Sequence, residues 1–117
     1  MSRQHSPPKD FSPDCVEVWQ VAQRQLRLQG TWEKSDGPLL EAYVRNVVAA
    51  REARARADEY RHSSSIELAA TLKIVAGAEA AALALAKSLL LTPESRRRNG
   101  VKSPGKGVED ELQALIG

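Results

Sequence analysis

Leu40, Tyr43, Val44 and Val47 recur at i, i+3, i+4 and i+7, the spacing of one buried face of a helix. Ser35 or Asp36 stands ready to cap that helix, and Pro38 falls in its first turn, where a missing N–H costs nothing. Past Ala50 the stripe thins to Ala53, Ala57 and Tyr60 among charges, with Glu52 and Arg56 in the favourable i, i+4 order. The segment RHSSS then breaks the pattern. Ser64 and Glu67 form the S-x-x-E capping box, so a further helix is predicted from about Ser65, with no proline before Pro93. Gly77 is its one weak point. From Ile74 to Ala86 apolar residues point in nearly every direction around the axis, the mark of a helix covered on all sides.

Shorter elements flank these two. A helix is predicted from Pro13–Asp14 to about Leu28, with Val16, Trp19 and Leu26 on one face and Gly30 as its stop. Residues 29–36 form a connector in which Trp32 serves as an anchor. Downstream, Thr92 caps a short helix, Pro93 takes its first position and Gly100 follows Asn99 at its end. Residues 1–13 hold three prolines and read as a disordered arm. Residues 101–107, VKSPGKG, read as a flexible basic linker. Residues 108–117 put Val108, Leu112, Leu115 and Ile116 beside Glu109, Asp110 and Glu111, a short acidic amphipathic helix.

Length turns this pattern into an architecture. Two helices of about 24 and 27 residues would each span roughly 36–40 Å, more than the roughly 30 Å of a compact domain this small. The predicted fold is therefore all-α: an elongated antiparallel helical hairpin with a short helix at each end, spread over residues 14–100. One partner helix and a short first helix cannot cover a third helix that is apolar all round. The alanines at 69, 70, 76, 78, 80, 81, 82, 84 and 86 permit close approach of another helix. A homo-oligomer is the expected solution, with Leu72, Val75, Ala78, Ala82, Leu85 and Leu89 lining contacts between copies. The alternative is a monomer whose first helix and tails fold over the hairpin.

Composition agrees with helices. Aromatic residues make up 4% of the 117 positions, and a core of alanine and leucine suits helix packing better than a sheet. Cys15 is the only cysteine, which fits a reduced setting. The N-terminus has no apolar signal segment, and the apolar stretch Ile74–Ala86 is shorter than the roughly 20 residues of a membrane span. A soluble protein is expected.

Candidate chemistry is sparse. No P-loop motif is present. His5 in the arm and His62 in the turn have no partners that specify a triad, and Cys15 lacks neighbours at metal-ligand spacing. No catalytic residue, metal or cofactor is expected. The basic cluster remains. Seventeen basic against fifteen acidic side chains leave a net charge of +2, so a nucleic-acid role must come from where charge sits. Arg96, Arg97, Arg98, Lys102 and Lys106 follow one another, and Arg24 and Arg27 add to them near the end of the first helix. Repeated around an oligomer, a weak patch becomes a multivalent grip on phosphates. Without interleaved aromatics it would hold the backbone rather than stack bases. Two other classes stay open: a dimeric helical regulator reading a palindrome through Arg24 and Arg27, and an oligomeric scaffold that ignores DNA.

Three stretches carry a resemblance to a known family. They are a Trp-bearing helix ending in glycine (VEVWQVAQRQLRLQG), an acid-led helix start (DGPLLEAYVRNVVAAREA), and a long helix closing in LTPESRRR. In this order they resemble the small terminase subunits of tailed phages, over residues 14–100. Two departures stand out: His62 is followed by serines where a His-Pro step is common, and Leu90 precedes Leu-Thr-Pro where glycine is common. The resemblance implies a non-catalytic subunit that forms a closed ring, working in the host cytoplasm. It implies binding of double-stranded viral DNA near the packaging start, and recruitment and regulation of the large terminase subunit. On that reading residues 96–106 contact DNA, and Val108, Leu112, Leu115 and Ile116 dock the large subunit.

Overall fold

The ends of the helices show how this chain folds locally. In the computed structural model, which describes residues 6–116, α1 (Pro13–Leu28), α2 (Gly37–Tyr60), α3 (Ser65–Ser88), α4 (Pro93–Arg98) and α5 (Lys106–Ile116) follow one another. A short 3-10 turn at Lys34–Asp36 precedes α2, and the described residues contain no strand. The first five residues of the expected arm, His5 among them, and Gly117 lie outside the described residues.

Three starts are capped by hydroxyls. Ser12 accepts from the Cys15 amide (3.3 Å), Ser64 from Glu67 (3.2 Å) and Thr92 from Ser95 (3.2 Å), each satisfying an amide that the helix leaves over. The start of α2 differs from expectation. The Asp36 carboxylate accepts from the Glu33 amide (3.1 Å) and makes no cap bond to α2, because its backbone is already helical inside the 3-10 turn.

Three ends share one device. After α1 the amides of Gly30 and Thr31 donate to Arg27 and Leu26 carbonyls, both at 3.0 Å. After α3, Leu90 and Leu91 donate to Lys87 (3.2 Å) and Ala86 (2.8 Å); after α4, Gly100 and Val101 donate to Arg97 (3.4 Å) and Arg96 (2.9 Å). This is the Schellman closure, whose first residue past the cap is left-handed. Glycine takes that position twice, at φ 79° and 67°, but Leu90 takes it at φ 65°. A side chain there costs roughly 1 kcal/mol or more. Leu90→Gly is therefore expected to raise stability by about 0.5 kcal/mol, after subtracting the packing of the half-buried leucine side chain, read as a higher urea midpoint. A lower midpoint would mean that this packing outweighs the strain.

The α2–α3 pair is a hairpin closed over Tyr60, whose carbonyl accepts from the Ser63 and Ser64 amides at 3.1 Å. The chain measures 52 × 32 × 23 Å, elongated as helix length predicts. Leu40, Tyr43, Val44 and Val47 are buried as expected. On α1, Val18, Trp19, Val21, Ala22, Gln25 and Leu26 are all buried, more than one face, because α2 covers one side and α5 another.

Two expectations change here. Phe11, assigned to a disordered arm, lies in the core in a T-shaped contact with Trp19 at 5.9 Å, with the Arg45 guanidinium over its ring at 4.8 Å. Large apolar area so close to α1 has somewhere to go, so the chain packs before its first helix. The seam expected between copies is occupied within the chain. Val75, Ala78, Ala82 and Leu89 are buried, Leu85 is half-buried against the core and Leu72 alone is exposed. With Thr71 and Ala86 these positions step by three and four, and that stripe faces α2.

By length and composition the segment Ser65–Arg98 could cross a membrane. Its hairpin partner α2 could not accompany it, carrying Arg51, Glu52, Arg54, Arg56, Asp58 and Glu59, and Arg54 pairs with Glu79 halfway along α3.

Candidate nucleic-acid and assembly surfaces

The basic end of the molecule is built where α3 turns into α4. Gln29 donates through Nε2 to the Leu90 carbonyl (2.8 Å), and Gln25, almost fully buried, donates to that of Leu91 (3.4 Å). The end of α1 is thereby held against the Leu90–Leu91 turn from which α4 leaves α3.

The arginines do not share a role. Arg96 is only 3% exposed. Its guanidinium donates to the Leu90 carbonyl (3.4 Å) through Nη1 and pairs through Nη2 with Glu109 of α5. Glu109 also accepts from the Ser103 hydroxyl at 3.2 Å. Arg96 thus closes a contact within the chain and does not belong to the open cluster the sequence suggests. The adjacent residues point outward: Arg97 and Arg98 are exposed, Arg98 beside Glu94 at 3.4 Å one helical turn back. Lys102 and Lys106 are exposed, and among the described residues neither they nor Arg97 form an ion pair. On α1, Arg27 is exposed and donates to Gln23 Oε1 (3.2 Å), whereas Arg24 pairs with Glu111 of α5. Two of the seven expected DNA contacts are therefore engaged by the acidic C-terminal helix.

That helix lies across the basic end rather than free of it. Leu112 is buried in the core, and Leu115 and Ile116 pack half-buried against it, with Val108 half-buried too. α5 already begins at Lys106, so the flexible linker is shorter than expected, with Gly105 left-handed at φ 113° before the helix starts.

A second surface lies along α3 away from α2. Ile66 is 82% exposed, and Ile74 and Leu83 are each 52% exposed. Between them run Ala69, Ala70, Ala76, Gly77, Ala80 and Ala84, all exposed, with Lys73 and Lys87 as the charges of that face. Small residues let another helix approach closely, and the large ones at its edges would be covered by it.

A groove of about 550 Å³ opens between the hairpin and α5, lined in part by Tyr43, Val47, Leu83, Leu91 and Leu112. Burial pushes the Tyr43 phenol up to about 12, so it stays protonated near neutral pH and cannot act as a base. His62 is exposed in the turn and Cys15 is buried.

Residues 16–106 match the model of a family described as phage terminase, small subunit. Neither a curated protein nor a solved structure matches the chain. The match covers most of the sequence, with α1 from Val16 onward and all of α2 to α4: this chain belongs to the phage terminase small subunits, the non-catalytic components of the DNA-packaging apparatus.

Proposed function

We propose, from that membership, that the chain binds double-stranded viral DNA, assembles with copies of itself into a closed ring and brings the large terminase subunit to the DNA in the host cytoplasm. The observation that carries the reading is the cluster of exposed basic side chains along and just after α4. Arg97 and Arg98 stand on that capped helix, Lys102 in the segment after it and Lys106 at the start of α5, and of these Arg98 alone is ion-paired among the described residues. Such a cluster suits phosphates, which are held by charge without sequence reading. Repetition around a ring would make a modest grip per copy strong. The open Ala/Gly face of α3 supplies the contact between copies. The half-buried residues Val108, Leu115 and Ile116 would meet the large subunit, with Leu112 as the anchor of their helix. Deleting residues 108–117 is expected to abolish stimulation of the large subunit's ATPase, and undiminished stimulation would sink the docking role.

Arg97→Glu with Arg98→Glu tests the DNA role. Both side chains are exposed, so the helix content should survive. Affinity for duplex DNA is expected to fall at least tenfold, and the slope of log K against log salt to flatten by about two per copy. Unchanged affinity and slope would leave the chain an oligomeric scaffold. A palindrome-reading regulator would instead rely on Arg24 and Arg27 of α1, and its binding would survive Arg97→Glu with Arg98→Glu.

A further inference from the structure

Glu109 and Glu111 sit two residues apart on α5, so they leave the helix on different sides. One reaches Arg96 of α4 and the other Arg24 of α1, while Leu112 between them enters the core. α5 therefore spans the basic end of the molecule with a carboxylate on each side. It covers one arginine almost completely and holds the other at the surface. We infer that α5 is an acidic latch that occupies Arg24 and Arg96 in place of DNA phosphates, and that DNA binding displaces it.

This rests on the proposed DNA-binding role and deepens it. Three features of the chain suit α5 to that work. It is short, at 11 residues, and Leu112 is its one fully buried residue. The segment that ties it to α4 contains Gly100 and Gly105, both left-handed, with Pro104 between, so it can swing without unravelling either helix. The family match runs through Arg24 and Arg96 and stops at Lys106, the first residue of α5. Phosphates and carboxylates make the same charge-assisted bonds to guanidinium. Duplex DNA offers many phosphates at once, so a ring binding along it can outcompete one carboxylate pair per copy. Displacement would also free Val108, Leu112, Leu115 and Ile116 together. The segment proposed to meet the large subunit would then be presented only by copies that have engaged DNA.

The test uses the full chain and a duplex of about 20 base pairs. Glu109→Gln with Glu111→Gln breaks both pairs and is expected to tighten DNA binding about tenfold, because the binding-competent form no longer has to be opened first. Glu17→Gln with Asp110→Asn raises the net charge equally without touching either pair, and is expected to change affinity far less. The second readout needs no variant. Hydrogen exchange of the Leu112–Ile116 amides in the wild-type protein should accelerate when the duplex binds, while α2 and α3 stay protected. Equal affinities for the two double variants, or α5 exchange that ignores bound DNA, would overturn the latch alone. If no form binds the duplex, the DNA-binding reading falls and the latch with it.

Discussion

Replacing Trp19 by alanine is expected to remove about 3–5 kcal/mol of stability, the top of the range for a single core substitution. Trp19 is 3% exposed. It stands edge-on between Phe11 at 5.9 Å, 76° and Trp32 at 6.4 Å, 77°, the geometry in which aromatic rings attract beyond their area. These three rings join the segment before α1, α1 itself and the connector to α2 at one point. Domains of this size are stable by only about 5–15 kcal/mol, so the variant should be partly unfolded at physiological temperature. Among the described residues its indole Nε1 has no hydrogen-bond partner, so no bond between them is lost with it. Trp19→Phe should accordingly cost much less, since it also removes a buried unpaired donor. Urea unfolding at fixed protein concentration measures both, because assembly is linked to folding. A loss below about 1 kcal/mol for the alanine variant would show that the aromatic triplet is not the centre of the core.

The second large effect concerns assembly. Ala80→Glu with Ala84→Glu places two carboxylates one turn apart on the open face of α3, where both native side chains are exposed. Glutamate is a good helix former, so the single chain should keep its helix content. Between copies the same carboxylates would be desolvated without partners, at several kcal/mol per contact. Association should weaken by more than about a hundredfold, and the native mass should fall to that of one chain wherever the wild-type protein is assembled. Unchanged mass would mean that copies meet elsewhere.

Much of this organisation is legible in the sequence because it is local. Ser64, Thr92, Pro13, Pro38 and Pro93 mark helix starts through side chains or ring geometry that act within one turn, and Gly30 and Gly100 mark ends in the same way. What escapes is long-range. A helix apolar on every side does not announce which side faces its partner. The stripe Thr71, Val75, Ala78, Ala82 and Ala86 is taken by α2, and its stepping by three and four is the signal that could have found it. Three consecutive arginines look alike in one dimension. Arg96 differs only because its direction from α4 meets Leu90 and α5. The acidic residues 109–111 read only as the polar side of a short amphipathic helix until the fold sets Glu109 against Arg96 and Glu111 against Arg24. Phe11 illustrates the same point: its proline-rich surroundings suggest disorder, and only a partner ring eight residues on gives it a place.

Whether α3 turns its alanine-rich face to other copies of the same chain in a packaging ring is the point on which the proposed function depends. Native mass spectrometry of the wild-type protein at moderate salt tests it most directly. The predicted result is one closed assembly of many subunits, lost in Ala80→Glu with Ala84→Glu. A monomer or dimer at all accessible concentrations would contradict it.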